Sequence, residues 1–256
     1  MTDRARRNLL WLGGVAVVYA ALSEGPAMVR RAFPHDFDFE PVPGLPGFRR
    51  IASGRVSAVS PMLVGLDPGA AAPPEAARDP GPGPLCASLF GAVSAEAAVP
   101  VAYFSDYRCA FCRVLTPLLL DRAEGAQAPI RIVWHELPLL GETSETAARA
   151  AIAAEAQGAG AAWHRRMAGG ALVPSPPVFR RVAEGMGLDA DRLIRDMRAA
   201  ATDRRLAVSR ALADRFGFIG TPALVVGRTA VLGRIDAPDL DRLIALERAA
   251  GPLPCA

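Results

Sequence analysis

The sequence predicts an α/β fold with a mixed sheet, and three observations lead to that class. A buried-strand pattern, "VPVAYFSDY" (99–107), is followed by a helical pattern from Cys109 and then by a second strand pattern, "PIRIVWHEL" (129–137). Strand, helix and strand in that order imply a parallel pair joined by a crossover. Two later strand patterns flank the short link Gly227-Arg228, which implies an antiparallel hairpin.

A block of helices is predicted between the second strand and this hairpin. Residues of about 141–217 have a helical pattern almost throughout, with Thr143 and Asp189 as N-caps and Gly217 as a stop. Asp236 then opens a last helix after the hairpin. The expected architecture is a mixed sheet flanked by helices, with a helical insertion of about half the domain.

Composition shifts divide the chain into three parts. Residues 1–31 are an N-terminal signal or anchor segment, and residues 32–85 are an irregular linker rich in proline and glycine, with one or two short strands. The compact domain is expected over residues 86–256.

The first part of the chain indicates export. Three arginines precede residues 8–23, "NLLWLGGVAVVYAALS", a run of uncharged and mostly apolar character that resumes up to Val29. An uncleaved anchor of about residues 8–29 in the inner membrane is favoured, and a cleaved signal peptide is the alternative. Either interpretation places the rest of the chain outside the cytoplasm, in the periplasm.

Composition excludes some function classes. Apolar residues make up 51% of the chain, and the formal net charge of +3 gives no case for nucleic-acid binding. Every one of the 29 basic residues is an arginine, so single surface arginines carry little functional weight. The four cysteines do not form the two close pairs of a zinc site, and neither a metal nor a cofactor is expected.

Cys109 and Cys112 are the candidate reactive pair. They stand at a strand-to-helix junction, where free N–H groups and the helix dipole stabilise a thiolate. The thiolate is the attacking species in disulfide exchange. Their spacing predicts Cys109 as the exposed nucleophile and Cys112 as the buried thiol that resolves the intermediate.

Two other uses of the pair stay open at this point. A Cys-x-x-Cys alone is a weak motif and also occurs as a structural staple. The two thiolates could bind Cu(I), because soft sulfur ligands select that ion. The strand before the pair and the helix after it favour redox chemistry.

The sequence also resembles the DsbA-like branch of the thioredoxin superfamily, nearer to its DsbG and ScsC types than to DsbA. The stretches that carry the resemblance are "FSDYRCAFCR", "HELPLLGETSETAARAA", "WHRRM" and "GTPALVVG". The resemblance implies a thioredoxin fold with an inserted helical domain. It also implies that Thr221 and Pro222 form a cis-proline loop that binds the substrate backbone beside the sulfurs.

Three features depart from those relatives. The residues between the cysteines are Ala110 and Phe111, without the histidine of DsbA. Tyr103 stands six residues before Cys109, where relatives often carry a buried glutamate. Residues 32–85 do not look like the dimerisation domain of the isomerases.

The function expected from these features is extracytoplasmic thiol–disulfide exchange on protein substrates. Whether the enzyme acts as oxidase, reductase or isomerase is not separable from the sequence. The expected partners are cysteine-containing proteins and a membrane or periplasmic redox protein that recycles the pair.

The other two cysteines, Cys86 and Cys255, are candidates for a structural disulfide. They lie just before the compact domain and just after its last helix. The bridge is expected because domain termini are often close in space.

Overall fold

The computed structural model describes residue 11 and residues 36–51, 54–57, 85–91, 98–170 and 174–254. The chain divides after Asp38, and the architecture below belongs to the unit Phe39–Ala256. Among the described residues, no helix is both long and apolar enough to cross a membrane. The expected anchor of residues 8–29 lies outside the described residues, apart from Trp11.

Six strands of the described residues form one mixed sheet. In chain order they are β1 (Glu40–Pro41), β2 (Arg49–Ile51), β3 (Val99–Ser105), β4 (Ile130–Glu136), β5 (Ala223–Val226) and β6 (Thr229–Leu232). Their order in the sheet is β1-β2-β6-β5-β3-β4. The β3–β4 pair is parallel and the β5–β6 pair is antiparallel, which confirms both sequence predictions.

The helices of the described residues stand before, between and after these strands. They are α1 (Leu85–Phe90), α2 (Ala110–Arg122), α3 (Glu142–Glu155), α4 (Gly160–Ala168), α5 (Pro176–Gly185), α6 (Ala190–Asp196), α7 (Ala200–Phe216) and α8 (Ala237–Ala249). Five of them, α3 to α7, stand between β4 and β5, as the helical pattern predicted. Asp189 caps α6 and Asp236 caps α8 through their side chains, and Gly217 ends α7 in the left-handed conformation. The N-cap predicted at Thr143 is wrong, because α3 begins at Glu142 and its N-cap residue is Gly141.

Opposite faces of β3 pack against different helices, because successive side chains of a strand point to opposite sides. Phe104 belongs to a hydrophobic cluster with Phe90 of α1 and Leu212 of α7. Tyr103, its neighbour in the strand, instead contacts Thr116 of α2. The sheet is therefore covered on both sides, and α2 holds the cysteine pair on the Tyr103 side.

A second hydrophobic cluster lies within the helical insertion. It contains alanines of α3 with Trp163, Phe179 and Leu193, all three of which are fully buried. The insertion thus has its own core. It contacts α2 through α4, and an exposed ion pair joins Arg165 of α4 to Glu124, which lies just after the C-terminal end of α2.

The two short strands expected in residues 32–85 are β1 and β2, which extend the sheet beyond β6. A buried carboxylate joins this edge to α8. Glu247 accepts hydrogen bonds from Arg49 Nη2 (2.8 Å), the Arg228 amide (2.9 Å) and Thr229 Oγ1 (2.6 Å). The expected boundaries at residues 31 and 85 stay predictions, and the structure adds that residues 39–51 lie in the same unit as the domain predicted from residue 86.

Candidate redox site

The cysteine pair lies at the junction between β3 and α2. Cys109 is the N-cap residue of α2, and its sulfur accepts a hydrogen bond from the Cys112 amide at 3.1 Å. That amide is among the first N–H groups of the helix, which have no partner within the helix itself. A side chain at this position is therefore placed to carry negative charge, as the sequence predicted.

The loop before Cys109 is fixed by a buried carboxylate. Asp106 accepts hydrogen bonds from the Arg108 amide (2.7 Å), the Leu139 amide (2.8 Å) and Ser144 Oγ (2.7 Å). These contacts join the loop to the segment after β4 and to the start of α3. The position of Cys109 at the helix end is thus held from two other parts of the fold.

Local hydrogen bonds lower the pKa of Cys109 to about 6, well below the ordinary value of a thiol. The largest cause is the hydrogen bond with the Cys112 side chain, and a hydrogen bond with Ser57 acts in the same direction. Burial opposes them, because it disfavours the charged form. Cys109 is therefore mostly thiolate at neutral pH.

Cys112 has the opposite character. Cys112 is 3% exposed. Burial and the neighbouring Cys109 both raise the pKa of the Cys112 thiol. Cys109 and Cys112 are both free cysteines, with no disulfide between them. The pair is thus chemically asymmetric, with one thiolate and one buried neutral thiol.

The exposure predicted for Cys109 is wrong. The residue is 0% exposed, against the expectation of an accessible nucleophile beside a buried partner. Two segments distant in sequence reach its sulfur. The sulfur lies 3.2 Å from the Thr221 carbonyl oxygen, and Ser57 hydrogen-bonds with it from another part of the chain.

Thr221 and Pro222 lie where the resemblance implied. The Thr221-Pro222 peptide bond is cis, which confirms that expectation, and β5 begins directly after it at Ala223. Thr221 is fully buried next to Cys109. The fold therefore brings Thr221 together with a cysteine 112 residues away in the chain.

Tyr103 fills the position where relatives often carry a buried glutamate. Its hydroxyl is 3.1 Å from Thr116 Oγ1 and 3.5 Å from the Cys112 carbonyl oxygen. Burial raises the pKa of the Tyr103 phenol well above its ordinary value. It is therefore a neutral group that packs under the start of α2, and it does not supply a negative charge.

A buried carboxylate does occur nearby, at a position that the sequence analysis did not select. Glu136 ends β4, is 3% exposed, and its Oε1 lies 3.2 Å from His164 Nε2. His164 Nδ1 lies 2.8 Å from the Tyr107 hydroxyl, and His164 and Cys112 line the same small cavity. Burial raises the pKa of Glu136, and the His164 ring opposes that effect.

The rings of His164 and His135 both stack on aromatic side chains. The His164 ring stacks on Trp134 with ring centres 3.6 Å apart, and the His135 ring stacks on Phe104 at 4.7 Å. Burial lowers the pKa of His135 to about 4, so that it is neutral at pH 7. The buried contact between Glu136 and His164 was not predicted from the sequence.

The use of the pair as a two-sulfur Cu(I) site stays a prediction. The raised pKa of Cys112 disfavours the second thiolate that such a site needs. In the part of the chain that the structure describes, no group of three or more His, Cys, Asp or Glu side chains is placed to hold a metal ion.

Cys86 lies apart from this site. It is buried in α1, where it belongs to the same cluster as Phe104, and it is disulfide-bonded. Its expected partner Cys255 lies outside the described residues. The 86–255 pairing therefore stays a prediction.

The fold and the site define a thioredoxin-like protein with a reactive cysteine pair, that is, a thiol–disulfide oxidoreductase. The DSBA-like thioredoxin domain family matches residues 100–245. The chain belongs to that family, which confirms the resemblance stated from the sequence. The search of curated proteins returned no match.

Solved structures agree with this assignment. A thioredoxin-like oxidoreductase from Silicibacter pomeroyi DSS-3 is 34% identical, with a TM-score of 0.58 over 64% of this chain and 98% of that one. The thiol-disulfide exchange protein alpha-DsbA2 from Wolbachia pipientis is 21% identical, with a TM-score of 0.55 over 60% and 83%. The catalytic domain of Proteus mirabilis ScsC is also 21% identical, with a TM-score of 0.54 over 64% and 94%. The last two show a shared fold.

Proposed function

We propose that this enzyme exchanges disulfides with cysteine-containing proteins outside the cytoplasm, with Cys109 as the nucleophile and Cys112 as the resolving thiol. The observation that carries the proposal is the asymmetry of the pair. Cys109 has a pKa of about 6 at a helix N-terminus, and Cys112 is a buried thiol with a raised pKa.

The chemistry follows from this asymmetry. The Cys109 thiolate attacks one sulfur of a substrate disulfide, forms a mixed disulfide and releases the other substrate sulfur as a thiolate, which takes up a proton. Cys112 then loses its proton and attacks the Cys109 sulfur. This step forms the 109–112 disulfide and releases the second substrate thiol. The reverse sequence oxidises a substrate dithiol, so a redox partner of this enzyme sets the net direction.

The Thr221-Pro222 loop supplies the peptide-binding part of the site. Thr221 lies beside the Cys109 sulfur, two residues before the start of β5, and its amide and its carbonyl both pair with Ser57. An extended substrate segment that takes the place of Ser57 can add there as a further strand, with main-chain hydrogen bonds that do not depend on sequence. Broad selection of protein substrates is the expected result.

The extracytoplasmic location rests on the amino-acid sequence. Residues 8–29 favour an inner-membrane anchor, with a cleaved signal peptide as the alternative, and the expected disulfide at Cys86 suits an oxidising compartment. The recycling partner is then a membrane or periplasmic redox protein. Expression with a reporter fused after residue 256, followed by cell fractionation, separates anchored, periplasmic and cytoplasmic protein.

The exchange reaction is tested with single substitutions at the pair. Cys109→Ser removes the nucleophile, so turnover of a protein disulfide is expected to fall to the rate of the uncatalysed reaction. Cys112→Ser should also stop turnover while leaving the first attack intact. Ser175→Ala, a residue without a side-chain capping bond at the start of α5, is the matched control and should keep full activity. Full turnover by Cys109→Ser would contradict the proposal.

A further inference from the structure

The edge of the site beside Cys109 is occupied by the chain itself. Ser57 and Thr221 form an isolated antiparallel bridge. The Ser57 amide donates to the Thr221 carbonyl oxygen at 2.7 Å, and the Thr221 amide donates to the Ser57 carbonyl oxygen at 2.9 Å. Both main-chain groups that a bound peptide would use are therefore taken.

The residues before Ser57 follow the edge of β6. The Gly54 amide donates to the Leu232 carbonyl oxygen at 2.9 Å, and the Arg234 amide donates to the Arg55 carbonyl oxygen at 3.0 Å. The approach is close, because a Cβ atom at Gly54 would overlap the Arg234 backbone. The segment Gly54–Ser57, called the strap below, thus lies along the sheet edge and ends at the cysteine.

The strap is held mainly by its backbone. Gly54 and Arg55 are exposed, whereas Val56 and Ser57 are half-buried, so the strap buries little apolar surface. Ser57 also hydrogen-bonds with the Cys109 side chain. Serine is the oxygen analogue of cysteine, and this one stands next to the reacting sulfur. The strap has the backbone pairing of an added strand with a cysteine analogue at its reactive position.

We propose that the strap occupies the substrate-strand site in the resting enzyme, with Ser57 in the place of the substrate cysteine. The inference rests on the proposed function, because it identifies the strap with a substrate of that same site. A protein substrate must then displace the strap before its own strand can pair with Thr221. Only enzyme in which the strap is open binds substrate. The apparent affinity is therefore the intrinsic affinity multiplied by the fraction of enzyme in which the strap is open.

Replacing Ser57 by cysteine places a thiol where the substrate cysteine is proposed to lie, and so tests the proposed position of Ser57 directly. In Cys112→Ala, oxidised glutathione forms a mixed disulfide with Cys109 and releases one reduced glutathione. If Ser57→Cys is added, the introduced thiolate should attack the Cys109 sulfur, release the second glutathione and leave a 57–109 disulfide. Val56→Cys in the same background is the matched control, because neighbouring residues of a strand point to opposite sides.

Peptide mapping separates the outcomes. A 57–109 linkage with Ser57→Cys, and retained glutathione with Val56→Cys, is the expected result. Glutathione retained on Cys109 in both variants would overturn the inference and leave the proposed function intact. Failure of Cys109 to accept glutathione or any substrate disulfide would instead contradict the proposed function itself.

Release of the strap gives an independent kinetic test. Gly54→Ala adds a Cβ where the Arg234 backbone stands, and Ser57→Pro removes the amide that donates to Thr221. If the open state is populated to about 10%, release of the strap lowers KM for a protein disulfide by about tenfold in both variants. An unchanged kcat is expected only for Gly54→Ala, because Ser57→Pro also removes the hydrogen bond between Ser57 and Cys109. Gly185→Ala, which meets no atom within 4 Å, is the control and should leave KM unchanged. An unchanged or raised KM in both strap variants, with native circular dichroism, would overturn the inference.

Discussion

The charge on Cys109 is predicted to depend mainly on its partner cysteine. The pKa of Cys109 is about 6, and the hydrogen bond from the Cys112 side chain is the largest cause. At pH 7, about nine-tenths of Cys109 is then thiolate. Cys112→Ala deletes that donor but keeps the backbone amide of residue 112, which lies 3.1 Å from the sulfur.

The size of the effect follows from the hydrogen bond that is lost. A hydrogen bond to a charged group contributes about 1.5–3 kcal/mol, which corresponds to a change of about ten- to a hundredfold in the ratio of thiolate to thiol. At pH 7 the thiolate should then fall from the large majority to roughly half or less. The pKa of Cys109 rises accordingly.

The assay is a pH titration of the thiolate by its ultraviolet absorbance, which does not require a reagent to reach the buried sulfur. The reduced protein should titrate near pH 6, and Cys112→Ala should titrate at clearly higher pH. Cys109→Ala is the control and should lack this transition. The reasoning fails if the transition in Cys112→Ala stays near pH 6, or if the unsubstituted protein titrates as an ordinary thiol.

Three further predictions concern the fold. Glu247→Ala leaves the hydrogen-bond partners of this buried carboxylate unpaired and should lower the free energy of unfolding in urea by about 3–5 kcal/mol. Arg50→Ala breaks an exposed ion pair and should change that free energy by less than about 1 kcal/mol. Equal losses in the two variants would contradict the prediction. Burial raises the pKa of Glu136, so its contribution to stability is present at pH below 4.5 and is lost as pH rises through the raised pKa. Glu136→Gln should therefore flatten the dependence of unfolding free energy on pH above 4.5, and an unchanged slope would refute this. Peptide mapping of the unreduced protein should show a disulfide between Cys86 and Cys255. This disulfide closes a loop of about 170 residues and contributes on the order of 5 kcal/mol to the free energy of unfolding. A free thiol at Cys255 would refute the prediction.

The parts of the fold that the sequence predicted well are those with local, periodic signals. The β3-α2-β4 order, the helical insertion and the β5–β6 hairpin all follow from runs of apolar residues and from caps such as Asp189 and Gly217. The position of Thr221 beside Cys109 needed the family resemblance, because no local pattern joins residues 112 apart.

The strap could not be found in this way. Ser57 meets Thr221 across 164 residues of chain, through a single bridge with no alternation of apolar and polar residues to indicate a strand. Its segment is rich in small and polar residues and is therefore indistinguishable from a linker by composition. The burial of Cys109 was missed for the same reason, since one of the groups that reach its sulfur comes from this segment.

The buried group of Glu136, His164 and Tyr107 was not predicted, for a different physical reason. A charged residue at a strand end is ordinarily solvated, and only the fold shows that helix α4 places His164 over it. The two residues are 28 positions apart and belong to different layers of the structure. Nothing in either local pattern indicates that a carboxylate and an imidazole are buried together.

The central claim is that Cys109 attacks and Cys112 resolves, and trapping of the intermediate tests it most directly. Cys112→Ala, incubated with an excess of a protein disulfide, should gain the mass of one substrate molecule, and peptide mapping should place the link at Cys109. The adduct should disappear with reductant, and Cys109→Ala should form none. A stable adduct at Cys112 in Cys109→Ala, with none at Cys109 in the reverse variant, would contradict the account.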